Sequence, residues 1–238
     1  MRVNWKGIRF ICLMAVITGL MAFSWRSNNA REIREPLISF KDEAKPYVTR
    51  GAVNKLLIQN KADVTGQAKE KLDLKKMELL LDNHPMISNA DVYSTVQGDL
   101  KIEIVQRQPI ARVSGNTSYY IDREGGNMPL SDNFSARVPI VTGINTSHHK
   151  KVFELMKSIN NNAFLQGHIV GISRKTNGDY HLEPRAQEYT IILGGISQLE
   201  SKFYRYIAFF EKAKKDKKLG AYRSINLKYK GQVVCKNT

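Results

Sequence analysis

Apolar positions along this chain change period several times, and each change marks an element. Phe10 to Phe23 carries no charge, and adding Ile8 and Trp25 gives 18 residues, close to the minimum for a helix crossing a bilayer. Trp5 and Trp25 bracket the stretch as interfacial aromatics do, and Arg9 can reach the interface on its flexible stem. A cleaved signal peptide is the competing reading, with Ala22-Phe23-Ser24 as a tolerable cleavage site. The aromatic flank and the missing Ala-x-Ala favour an uncleaved transmembrane anchor over 8–25, a cytoplasmic tail over 1–7 and a linker over 26–35. The short tail, followed by a long polar chain, favours an exported domain.

Beyond the linker, Leu37 to Phe40 reads as a strand. Thr49 is an N-cap candidate before Val53, Leu56, Leu57 and Asn60, and Asp73 is a second before Leu74, Met77, Leu80 and Leu81. His84-Pro85 stops the second helix. Strands follow over about Ile87 to Val96 and Leu100 to Gln106, joined by a turn at Gln97-Gly98-Asp99. The order is strand, helix, helix, strand, strand, and Pro109 closes the unit.

The remainder is richer in strands. The stretch YYIDREGGNMPLS predicts two short strands around Gly125-Gly126, and VPIVTG predicts a buried one. Val152, Leu155, Met156 and Ile159 mark a short amphipathic helix. Ile169–Ile172, Asp179–Glu183 and Glu188–Leu193 read as strands, with a hairpin turn at Asn177-Gly178. Ser197 and Glu200 have the spacing of a capping box ahead of a helix with the stripe Leu199, Phe203, Tyr206, Ile207 and Phe210. Gly220 stops it. Last, Ile225, Leu227 and Tyr229 alternate with polar residues, as in a strand with one buried face.

Composition sharpens the picture. An apolar fraction of 42% in 238 residues supports real cores, and the net charge is +15. Without the first 25 residues the chain keeps 34 basic and 22 acidic side chains, a net of +12. On an exported domain that charge points to lipid headgroups or an acidic partner rather than to nucleic acid. The run from Lys212 to Lys218 reads either as the solvated end of a helix or as part of such a patch. Two cysteines, Cys12 and Cys235, suggest neither a disulfide framework nor a zinc site.

Candidate chemistry is sparse. Neither a nucleophile elbow, a zinc-protease helix nor a phosphate loop is present. His148-His149 makes a poor chelate, because adjacent helical residues point apart. Asp122 and Glu124 form a carboxylate pair, but turn chemistry at Gly125 explains Asp122 as well. The chain reads as a non-enzyme without cofactor or metal.

The order of these pieces resembles the FtsQ/DivIB family of bitopic bacterial cell-division proteins, in a Bacteroidetes-type version. LKKMELLLDNHPMISNADVYSTVQGDLKIEIVQRQPIARV is similar to the family's second POTRA helix, junction and paired strands, with His84 inside the junction. YYIDREGGNMPLS and YRSINLKYKGQVVCK resemble the start and the closing strand of its second domain. The resemblance implies an α+β protein. It has an N-terminal transmembrane helix, a POTRA-like βααββ domain over 36–108, and a mixed α/β domain over 109–238 whose antiparallel sheet ends in a C-terminal edge strand.

It further implies a non-enzymatic divisome scaffold at the septum, single-pass in the inner membrane with its C-terminal part periplasmic. FtsB/FtsL-type bitopic partners would link it to septal peptidoglycan synthases. By the same resemblance the partner meets Lys228, Tyr229, Lys230, Gly231, Gln232, Val233 and Val234; Lys230 is basic where better-known members carry an acid. The expected mode is strand addition to a free edge. Lys228 and Lys230 would blunt that edge and prefer acidic partners, with Ile225, Leu227 and Tyr229 facing the core. A POTRA-bearing accessory in outer-membrane protein transport is the alternative, though no series of barrel strands follows the module.

Overall fold

A computed structural model describes residues 5–29, 36–42, 45–59, 73–95 and 99–237. Its first element is a helix, α1 (Trp5–Asn29), with Phe10, Leu13, Leu20 and Phe23 exposed. Among the described residues no helix is long and apolar enough to cross a membrane. The expected span over 8–25 is therefore helical without being established as a span. Thr18 lies within the apolar run and turns its hydroxyl back onto Met14 O at 2.8 Å.

The chain divides into two compact units, 1–106 and 107–238. In the first, β1 (Leu37–Phe40) leads to α2 (Arg50–Gln59), α3 (Leu74–Asp82), β2 (Ile87–Ser94) and β3 (Leu100–Gln106). Both expected caps form: Thr49 Oγ1 accepts from Ala52 N at 3.2 Å and Asp73 Oδ1 from Lys76 N at 3.0 Å. The sheet order is β1-β3-β2, with β1 parallel and β2 antiparallel to β3. Val53 and Leu57 from α2, and Met77 and Leu81 from α3, close over Ile87, Ala90, Leu100, Ile102 and Ile104. Asn60 and the predicted turn residues Gln97 and Gly98 lie outside the described residues.

The second unit is a nine-stranded sheet. Its strands are β4 (Pro109–Val113), β5 (Tyr119–Asp122), β6 (Asn127–Met128), β7 (Ile140–Thr142), β8 (Ile169–Arg174), β9 (Tyr180–Pro184), β10 (Thr190–Gly194), β11 (Tyr222–Asn226) and β12 (Val234–Asn237). Its helices are α4 (His149–Asn160), α5 (Ala163–His168) and α6 (Leu199–Lys215). Spatial order runs β12-β11-β10-β9-β8-β7-β4-β5-β6.

The expected antiparallel sheet is in fact mixed: β4–β7, β7–β8 and β10–β11 pair in parallel. Parallel neighbours need long connections, and α4 with α5, and α6, supply those after β7 and β10. Pro109, expected to close the first unit, lies within the second and opens β4, at the first-residue position where a missing N–H is tolerated. The expected capping box at Ser197 does not form. Gln198 is the N-cap instead, in the left-handed region at φ 55°, with no side-chain cap.

The inner face of α6 carries Phe203, Tyr206, Phe210 and Ala213. A buried polar chain fixes its rotation: Tyr206 OH meets His168 Nε2 at 2.6 Å and Tyr189 OH at 2.9 Å. Phe164 stacks on the His168 ring at 4.7 Å and Phe210 meets it edge-on at 4.8 Å. Burial holds His168 below its ordinary pKa and pushes both tyrosines up. Such groups are tolerated inside because each has a partner.

Candidate protein interface at the C-terminal edge

The predicted partner segment is a hairpin loop rather than an extended edge. Alternation holds through Ile225 and Leu227, both fully buried, and Leu227 N still donates to Ile192 O at 2.9 Å. It fails at Tyr229, which is 51% exposed and does not face the core as expected. The reason is local. Asn226 Oδ1 accepts from Lys228 N at 3.0 Å, and Gly231 takes φ +75°. That left-handed conformation suits glycine and lets the chain reverse. β12 then returns antiparallel to β11, pairing Val234 with Asn226, Cys235 with Ile225 and Lys236 with Ser224.

Of the seven predicted residues, only Val234 therefore lies in a strand. Lys228 lies over Gly194, and its ammonium reaches Asp179 Oδ2 at 2.8 Å. That hydrogen bond holds the Asp179 carboxyl below its ordinary pKa and raises that of Lys228. Tyr229, Lys230, Gly231 and Gln232 are exposed, whereas Val233 packs partly on the main core. From Val233 into β12 the alternation resumes: Val233 and Cys235 turn inward, and Val234 and Lys236 turn out.

One residue organises the whole loop. Arg205, on α6 one position before Tyr206, donates through Nη1 to Tyr229 O and to Gln232 O, each at 2.6 Å. Its Nη2 lies 3.5 Å from Leu227 O. A planar guanidinium suits this task, because its donors diverge in a fixed fork. The anchored helix thus fixes the arginine, the arginine fixes the loop, and the loop sets where β12 lies.

β12 is the outermost strand of the sheet. Among the described residues no side chain hydrogen-bonds to the backbone of Val234–Asn237. Exposed on and around it are Val234, Lys236, Tyr229, Lys230 and Arg223. Sequence reasoning missed Arg205, Asp179 and Cys235–Asn237. A signal for the hairpin existed in Lys230-Gly231 between two β-rich runs. Nothing local marks Arg205, whose partners lie more than twenty residues away.

Elsewhere the candidate chemistry resolves into turns and packing. Asp122 is buried; Oδ1 accepts from Glu124 N at 2.9 Å and Gly126 N at 2.7 Å, and Oδ2 accepts from Arg107 Nη1 at 2.7 Å. It therefore builds the β5–β6 turn, as its position beside Gly125 suggested. Arg107 also lies 3.7 Å from Glu124. His149 is half-buried: its Nε2 meets Gly125 O at 2.9 Å and its ring stacks on Tyr119. Among the described residues no group of three or more His, Cys, Asp or Glu could hold a metal ion.

A βααββ unit followed by a nine-stranded mixed sheet with a hairpin strand at its edge is the arrangement to be compared with known proteins. A family profile described as "FtsQ/DivIB, C-terminal related" matches residues 108–236, and one described as a POTRA-like domain matches residues 35–105. The chain belongs to the FtsQ/DivIB family. The cell division protein FtsQ of Salinibacter ruber (strain DSM 13855 / M31) is 37% identical over 65 residues, 26% of this chain and 25% of that one. The match thus spans about a quarter of that relative's length. The major extracytoplasmic domain of the trans isomer of the bacterial cell division protein DivIB from Geobacillus stearothermophilus is similar at 17% identity. That likeness covers 47% of this chain and 95% of that one, with a TM-score of 0.34.

Proposed function

We propose that this chain is a non-enzymatic scaffold of the bacterial division machinery that captures a partner by strand addition on β12. The observation that carries the reading is the open outer side of an edge strand on a hairpin held by Arg205. Main-chain pairing supplies the affinity in such a complex, and flanking side chains choose the partner. Lys230, Lys236 and Arg223 around the edge select an acidic segment. Family membership supports FtsB/FtsL-type bitopic proteins as those partners, with septal peptidoglycan synthases reached through them. α1 is the membrane attachment, its exposed apolar residues entering the cytoplasmic membrane and leaving both units on the outer side, at the septum.

The earlier residue set is revised accordingly. Val234 to Asn237 make the main-chain contact, while Lys228 to Val233 shape and flank it. A photo-crosslinking residue at Val234 in living cells tests this. Capture of a small bitopic division protein is expected, and it should be lost when Val234 is instead replaced by proline. If no such protein is captured at Val234 or at Lys236, and division survives deletion of residues 232–238, the reading fails.

A further inference from the structure

The first unit also has a free sheet edge, and there the backbone is occupied. β2 lies outermost in the order β1-β3-β2 and is eight residues long. Lys41 N donates to Ile104 O at 3.1 Å, so the polar backbone groups of Ile104 face β1. Ala90 stands opposite Ile104 and Val92 opposite Ile102. In an antiparallel pair the bonded and unbonded positions alternate, so Ala90 and Val92 turn their N–H groups to the open side. These are the donors that an incoming strand would use.

Both are already taken. Asp82 Oδ1 accepts from Ala90 N at 2.7 Å, and Glu78 Oε1 accepts from Val92 N at 3.1 Å. The two carboxylates sit four residues apart on α3, each one position after a buried residue, Met77 or Leu81. Four helical residues advance about 6 Å, and two strand residues advance about 6.6–6.8 Å. The pitch of α3 therefore matches every second N–H of β2. Carboxylate acceptors on backbone N–H groups are stronger than neutral ones. They also place negative charge where a new strand would bring its carbonyl oxygens.

We propose that Glu78 and Asp82 form a built-in cap that closes the β2 edge to strand addition. The POTRA-like unit then resists pairing with extended segments, including the β2 strand of a second copy. The contrast is with β12, whose backbone carries no such side-chain bond among the described residues. Closure of β2 stands apart from the partner reading for β12, and either can fail alone.

The test uses the full chain in detergent micelles, with hydrogen exchange read at single amides. In the wild type, Ala90 and Val92 should exchange at least about tenfold more slowly than unprotected amides, although they face the open side of an edge strand. Glu78→Ala with Asp82→Ala should remove that protection and leave the β3 amides unchanged. Glu78→Gln with Asp82→Asn keeps an acceptor on each side chain and should retain most of it. A photo-crosslinker at Asp91 should join two copies of the alanine variant and not two copies of the wild type. Unprotected Ala90 and Val92 in the wild type would overturn the proposal. So would an alanine variant that keeps full protection, or one that loses protection and still forms no joined copies.

Discussion

Replacing Arg205 with alanine removes the fork that holds Tyr229 O and Gln232 O, both at 2.6 Å. Hydrogen bonds to a charged group contribute roughly 1.5–3 kcal/mol each when sheltered. These two are exposed to solvent, so about 0.5–1 kcal/mol each is the fairer figure. The hairpin should then open more easily by about 1–2 kcal/mol, roughly a 5–30-fold rise in the open population. The buried Tyr206 chain stays intact, so α6 keeps its place. Hydrogen exchange across residues 222–237 reads the change directly, with the β8–β9 hairpin as internal control. Exchange in β11 and β12 should accelerate by that factor while β8 and β9 stay constant. Arg205→Lys should fall between, because an ammonium cannot hold the fork. Partner affinity should fall in proportion to the competent fraction. Acceleration under about twofold in β12, or equal acceleration throughout the second unit, would refute the clamp.

Other outcomes follow from the same contacts. Tyr206→Phe strips the hydroxyl between His168 and Tyr189 and leaves two buried polar groups short of a partner; a loss of about 2–4 kcal/mol in chemical denaturation is expected, and a loss under about 0.5 kcal/mol would count against the network. Burial depresses the folded pKa of His168, so the neutral ring contributes stability above its unfolded pKa near 6.5, and this is lost as pH falls through the lower folded value. His168→Gln keeps a hydrogen-bonding side chain without the titration, so its stability should decline less steeply below pH 6.5; an unchanged slope would assign the decline to other groups. Gly231→Ala has free space around the new methyl but keeps φ +75°, so a loss of about 1–2 kcal/mol confined to the hairpin is expected by hydrogen exchange.

What the sequence showed plainly was local. Thr49 and Asp73 cap their helices by bonds that span three residues, and the first unit's alternating strands carry their own face assignment. Gly178, at φ +89°, turns the chain between β8 and β9 as Asn177-Gly178 predicted. Errors arose where a short-range pattern ran across a reversal. Ile225-x-Leu227-x-Tyr229 keeps its period on paper, but Asn226 and Gly231 end the strand between the second and third members. Ser197 and Glu200 had the right spacing for a cap, yet the left-handed Gln198 starts the helix one residue later. His168 reads as an ordinary strand-end residue until α6 folds over it. Arg205, Glu78 and Asp82 look like solvated helix charges, because their partners arrive only with the tertiary fold.

The sheet also has a narrow waist. β7 contributes three residues, two of which face β4 and three β8, and both pairings are parallel. On one side β4, β5 and β6 form a local antiparallel group; on the other, β8 to β12 follow one another in chain order. A pulling force between the two ends of the sheet concentrates on those few pairs. The sheet should part at β7, in two steps of extension, with β8 to β12 still assembled after the first. Tension would then open the sheet at its middle and leave the β11–β12 hairpin whole.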